Sequence, residues 1–171
     1  KDFKDIEKLS NLGEDIFSFD MLGEAARTEN QADNYFNAYM NAIDEVGKLN
    51  LIKNLSNGVS IKISALHPRY EMRKIHDLKS KLIPRLLELI HYAQSKDVEI
   101  TIDAEEQDRL SLSLHIIEIL AYEKGLKDWP GFGIALQAYG KRSQDVIHWL
   151  NKILLKREKM HLRLVKGAYW D

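Results

Sequence analysis

The strongest constraint on this chain is a repeated alternation of two kinds of segment. Five short apolar runs, DIFSFDML (15–22), GVSIKISAL (58–66), VEITIDAE (98–105), GFGIALQAY (131–139) and HLRLVKGAY (161–169), are separated by longer stretches with helical periodicity. Each run is rich in Ile, Val, Leu or Phe and reads as a largely buried strand. Between them, 30–48 carries a stripe of Ala32, Tyr35, Phe36, Tyr39, Ile43 and Val46 at three- and four-residue steps. The stretch 78–96 repeats this with Leu82, Leu86, Leu89, Ile90 and Ala93. Residues 108–124 contain LSLSL, which alternates like a strand, but Ile116, Leu120 and Ala121 continue it as a helix. The last helix is predicted over 144–156, capped by Ser143, with Val146, Ile147, Leu150 and Leu154 on its buried side. Residues 1–14 read as a helical lead-in that Gly13 ends.

Strand and helix in strict alternation imply a parallel sheet, either open and doubly wound or closed into a (β/α)8 barrel. No Gly-rich phosphate loop follows any strand, which weakens the nucleotide-binding open sheet. Polar residues gather where the apolar runs end: Asp20 and Glu24, Lys62 and Ser64, Asp103 and Glu105, Gln137 and Tyr139, Arg163 and Lys166. A barrel builds its active site on that rim, from several strands. Asp20, Lys62, Asp103 and Gln137 are spaced 42, 41 and 34 residues apart, so 171 residues hold five units, whereas a barrel takes about 250 residues. The expected fold class is therefore α/β, a partial (β/α)8 barrel of about five parallel strands, with a free-standing five-stranded domain as the alternative.

Composition removes several functions. The chain has no cysteine, so disulfides, thiolate catalysis and Cys-ligated zinc are excluded, in keeping with a cytoplasmic protein. Its net charge is −1, so no nucleic-acid partner is expected. The start, KDFKDIEKLS, lacks the apolar stretch of a signal peptide, and no run reaches membrane-helix length.

Among the rim residues, Lys62 interrupts an apolar strand, where an unpaired ammonium is costly. It either snorkels to solvent, clamps an anion or forms a Schiff base in the manner of a barrel aldolase. Asp103 stands at a strand tip. Glu105 and Glu106 suit a first helical turn, where the helix dipole favours acids. No histidine lies near these carboxylates in sequence, so no metal site is expected. Gln137 needs partners, either a ligand edge or neighbouring backbone. Arg163 and Lys166 are three apart and point to opposite faces of an extended strand. Gly167 permits close approach of the backbone, and Tyr169 and Trp170 offer rings for stacking.

The stretches DMLGEAA (20–26), SIKISALHPRYE (60–71), TIDAEEQDRL (101–110), LQAYGKR (136–142) and RLVKGAYWD (163–171) resemble, in order, the proline dehydrogenase domain of the bacterial bifunctional proline utilization A family. The resemblance covers the chain from about residue 15 and implies the first five strands of a (β/α)8 barrel, residues 15–171. It implies FAD as cofactor and L-proline as substrate, oxidised to 1-pyrroline-5-carboxylate. It also implies quinone as electron acceptor, with peripheral membrane contact of the parent protein. By the same resemblance Lys62 pairs with the substrate carboxylate, Asp20 supports the carboxylate site, Arg163 lies near flavin N5, and Tyr169 packs at the substrate pocket. Asp103, Ala104, Gln137, Val165, Lys166, Gly167, Ala168 and Trp170 would contact the flavin. The family's paired arginine motif is absent, and with it part of the carboxylate grip. The chain alone is therefore expected to bind FAD weakly or not at all, to be inactive, and to self-associate through open sheet edges.

Overall fold

The computed structural model describes residues 15–168 other than Leu22 and Leu55. The predicted lead-in at 1–14, and Tyr169 and Trp170, lie outside the described residues.

Five strands form one sheet in the order β1 (Ser18–Asp20), β2 (Gly58–Ile61), β3 (Glu99–Ile102), β4 (Phe132–Gln137) and β5 (His161–Val165). Every neighbouring pair is parallel. The sheet curves into a half-barrel, as the alternation predicts. Helices α1 (Glu29–Lys53), α2 (Ile83–Ser95), α3 (Leu110–Ala121) and α4 (Ser143–Leu154) connect the strands. Their stripes and the outward residues Val59, Ile61, Ile100, Ile102, Phe132 and Ile134 form one buried core.

Several boundaries differ from the sequence reading, each for a local reason. The second apolar run leaves the ladder after Ile61, and Ile63–Leu66 tightens into a 3₁₀ turn. Ahead of α2, Ile75–Asp77 and the π-helical turn Leu78–Leu82 extend one continuous helical stretch. Ser143 is the first helical residue of α4 rather than its cap, and no side chain caps that end. Its buried stripe is Val146, Leu150 and Ile153, whereas Ile147 and Leu154 are more than two-fifths exposed. A helix of 3.6 residues per turn carries the stripe from 150 to 153 as readily as to 154. The LSLSL segment is helical, as its length predicts.

The end of the half-barrel where the strands begin is tied by polar side chains. Asn50 donates to the carbonyls of Asn57 and Asp97 at 3.1 and 3.0 Å, and Asn57 accepts from the Phe17 amide at 2.7 Å. Arg157, 2% exposed, lies over the Phe132 ring. It donates to the carbonyls of Ala121, Leu126, Trp129 and Lys159. This charge has no carboxylate within ion-pair distance among the described residues and is solvated by peptide oxygen instead.

Candidate active site

Period-2 alternation sends the polar residues of every strand to the concave side. Row by row, Ala135 pairs with Arg163 and Gly133 with His161. The small residues on β4 let the long side chains of β5 pass over them. Arg163 crosses β4 to reach Asp103 after β3, Ser60 on β2 and Ser18 on β1. His161 crosses Gly133 to hydrogen-bond Thr101 on β3 at 2.9 Å. A Cβ at Gly133 would lie 2.1 Å from the His161 ring, so the glycine is what admits the imidazole. Burial pushes the His161 pKa below its ordinary value and keeps the ring neutral near pH 7.

At the C-terminal rim, Asp103 bridges two cations. One of its oxygens accepts from Arg163 and the other from Lys62 Nζ at 3.1 Å. Lys62 Nζ also donates to Asp20 at 2.6 Å. The Lys62 side chain is 14% exposed and that of Asp103 is 10% exposed, whereas Asp20 is 56% exposed. Lys62 is thus a paired, half-buried cation, not a snorkelling one. Burial alone would lower its pKa, but hydrogen bonds and charge from Asp20 and Asp103 outweigh that, and the net direction is up. A Schiff-base lysine needs the opposite shift, toward a free amine at working pH, so the aldolase alternative loses its nucleophile.

Lys62 is also fixed through its backbone, whose N–H donates to Tyr39 Oη at 3.1 Å. Tyr39, on α1, is 2% exposed, and burial raises its pKa well beyond that of an ordinary phenol.

Asp20, Lys62, Asp103, Ala104, Ala135, Gln137, Arg163, Val165, Lys166, Gly167 and Ala168 line one open cleft of about 330 Å³. The structure therefore brings together every predicted site residue that it describes. Arg163 projects from the strand, and Lys166 reaches the cleft from the loop that follows. That loop hugs β4: the Lys166 carbonyl accepts from the Tyr139 amide at 3.1 Å. Gly167 has φ +130°, and a Cβ there would lie 1.8 Å from the Tyr139 ring. No other residue type fits both constraints.

Gln137 resolves toward its structural role. Its amide nitrogen donates to the Glu105 carbonyl at 3.0 Å, and its oxygen accepts from the Ala168 amide at 3.1 Å. Glu105 is not a helix-dipole acid. It is buried, accepts from the Ser64 amide at 3.1 Å, and has its pKa raised by that burial. Ser64 in turn accepts from the Ala25 amide through its hydroxyl, at 2.9 Å, and from the Ala26 amide through its carbonyl, at 2.9 Å. One unbroken run of hydrogen bonds thus ties four rim loops together through the last residue of β4: Ala25 and Ala26, Ser64, Glu105, Gln137, Ala168.

Sequence reasoning missed Ser18, Ser60, Thr101 and His161 on the concave face. Each lies two residues before a predicted site residue, so the same alternation would have found them.

The cleft combines three cations and two carboxylates with a wall of small residues, Ala104, Ala135, Gly167 and Ala168. That arrangement presents an excess of positive charge beside small side chains to whatever enters the cleft. A sequence profile described as proline dehydrogenase matches residues 3–171. The bifunctional protein PutA of Escherichia coli K12 is 44% identical over 158 residues, covering 91% of this chain and 12% of that protein. PutA of Rhizobium meliloti is 40% identical over 157 residues, 91% of this chain and 13% of that protein. A crystal structure of bifunctional proline utilization A superposes with a TM-score of 0.83 at 44% identity, over 90% of this chain and 16% of that one. Proline utilization A from Bdellovibrio bacteriovorus, inactivated by N-propargylglycine, superposes at 0.88 with 28% identity, over 98% and 19%. The chain thus spans about an eighth of the curated relatives it matches.

Proposed function

The chain belongs to the proline dehydrogenase family, and on that basis we propose that residues 15–171 supply five strands of a barrel that oxidises L-proline to 1-pyrroline-5-carboxylate, with 1–14 as a lead-in. The observation that carries the reading is the Lys62, Asp103, Arg163 bridge at the C-terminal strand ends of a parallel half-barrel.

The cleft fits FAD on the chemistry of its donors. Ala104, Ala135, Gly167 and Ala168 are small enough for a ring to lie against them, Val165 and Lys166 line the same cleft, and Arg163 would offer the ring a cation. When bound, FAD would accept the hydride from proline C5, and the electrons then pass to quinone. The chain's own residues do the rest. Lys62 binds the proline carboxylate, which replaces exposed Asp20 as its partner. Fixing the carboxylate fixes where C5 lies. Asp103 holds Lys62 and Arg163 at a set separation. Arg163 places positive charge where negative charge grows. Tyr169 and Trp170 retain the pocket and stacking roles that the resemblance implies.

Transfer to quinone implies peripheral membrane contact from the cytoplasmic side; no helix among the described residues is long and apolar enough to cross a membrane. In isolation the 171-residue chain would hold FAD weakly and associate through β1 and β5, each paired on one side only among the described residues.

The test uses the full reading frame that contains this chain. It should purify with flavin absorbance and reduce a quinone analogue with proline. Lys62→Gln should raise KM for proline by about 100-fold, as expected when a half-buried charge pair with substrate is lost, while flavin content stays the same. Colourless protein without proline oxidation, or an unchanged KM in Lys62→Gln, would refute the assignment.

A further inference from the structure

Two serines hold the arginine of the cleft from beneath, and the proposed chemistry gives them no part. Ser60, on β2, is 0% exposed and accepts from Arg163 Nη1 at 2.7 Å. Ser18, on β1, accepts from the same nitrogen at 3.1 Å. The two hydroxyls are 3.1 Å apart, so one donates to the other. With Asp103 on Nη2, three of the five guanidinium N–H groups are engaged.

This arrangement does more than fill space. Arg163 spans β4 above Ala135 before it meets any partner. A long side chain anchored by a single carboxylate can still swing about that contact, because its rotamers are many. Two hydroxyls on one nitrogen and a carboxylate on the other define a plane. Ser60 is sealed from solvent, so water does not readily take its place if the hydroxyl is removed.

We propose that Ser60 and Ser18 are positioning residues for Arg163, fixing the plane of its guanidinium and thereby how strongly it favours the reduced, more negative flavin. The proposal rests on the proline dehydrogenase reading above. It concerns charge placement beside the ring, which tunes reduction without touching substrate.

The experiment measures the flavin midpoint potential and the FAD dissociation constant of the flavin-loaded full chain, with Ser60→Ala, Ser18→Ala and Ser18→Thr. Loss of one hydrogen bond to a charged group should weaken the preference for reduced flavin about tenfold. At about 30 mV per decade for a two-electron couple, Ser60→Ala should lie about 30 mV more negative. Ser18→Ala should shift the same way by less, and Ser18→Thr, which restores a hydroxyl at an exposed position, should recover it. FAD affinity should change less than about threefold, because the ring wall is untouched.

Potentials equal to wild type in both alanine variants, with only thermal stability reduced, would overturn the proposal and leave the serines as packing. If Ser60→Ala does not fold, the Ser18 pair decides by the same criterion. A wild-type protein without flavin defeats the functional reading itself, and the proposal with it. A wild-type flavoprotein with unshifted variants defeats the proposal alone.

Discussion

Replacing Arg157 by methionine should destabilise the protein by about 3 kcal/mol and leave the chemistry per folded molecule unchanged. Arg157 is 2% exposed and donates to four carbonyls. Two of these bonds, to Ala121 at 3.2 Å and Leu126 at 2.7 Å, are buried. Methionine keeps much of the volume over Phe132 but takes the donor from the Ala121 oxygen, at about 1–3 kcal/mol, and leaves Leu126 with only the Trp129 amide at 3.0 Å, a lost bond of about 1 kcal/mol. Relief from desolvating the guanidinium offsets part of this, since burial already lowers the arginine's pKa. With a urea m-value of about 2 kcal/mol/M, the midpoint should fall by about 1.5 M. The assay is urea unfolding followed by tryptophan emission, with Arg157→Lys beside it. Lysine keeps the charge but cannot fork to several carbonyls, so it should recover less than half of the loss. A midpoint within about 0.3 M of wild type would refute the idea that these carbonyls depend on Arg157. The site is spared because Arg157 clasps the end of the sheet where strands begin, and the cleft opens at the other.

Two further outcomes follow from the concave face and the rim. Gly133→Ala should cost about 1–3 kcal/mol by driving a methyl into the His161 ring. In a His161→Ala background the same change should cost less than about 1 kcal/mol, a coupling that a double-mutant cycle reads directly; additive costs would show that the ring does not set the requirement. Glu105→Gln tests burial of the rim carboxyl. Its folded pKa lies above the unfolded value of about 4.3. The stability it contributes is therefore complete below that value and is lost as pH rises through the folded pKa. Unfolding free energies between pH 4 and 7 should show the glutamine variant gaining on wild type with rising pH. A flat or opposite difference would contradict the sign.

Much of the fold was legible because strand and helix announce themselves by different periods, and four strand–helix units followed by a fifth strand leave few topologies. The site was legible for a related reason. A polar residue inside an apolar strand, such as Lys62 or Gln137, has to be answered by a partner, and the strand direction says at which end. Partner identity was not legible. Asp103 joining Lys62 to Arg163 spans 60 residues of sequence from carboxylate to arginine, and no local pattern encodes that. Glu105 read as a helix-start acid because local propensity favours that use, while tertiary burial against Ser64 decided otherwise. Gln137 offered two equal readings, and only the positions of Glu105 and Ala168 separate them. The edge of α4 was misjudged because apolar residues at 147, 150, 153 and 154 satisfy more than one stripe.

The hydrogen-bonded run from Ala25 to Ala168 bears on how such a rim can change over evolutionary time. Barrel loops are often treated as interchangeable parts on a fixed frame. Here the loop after β1 ends on Ser64, the loop after β2 ends on Glu105, and Gln137 joins the loops after β3 and β5. Exchanging one of them alone would strand a donor or acceptor belonging to the next. Inheritance at this rim is therefore collective: the four linked loops and the end of β4 are one heritable part, and a lineage that remodels one must remodel its neighbours in the same stroke.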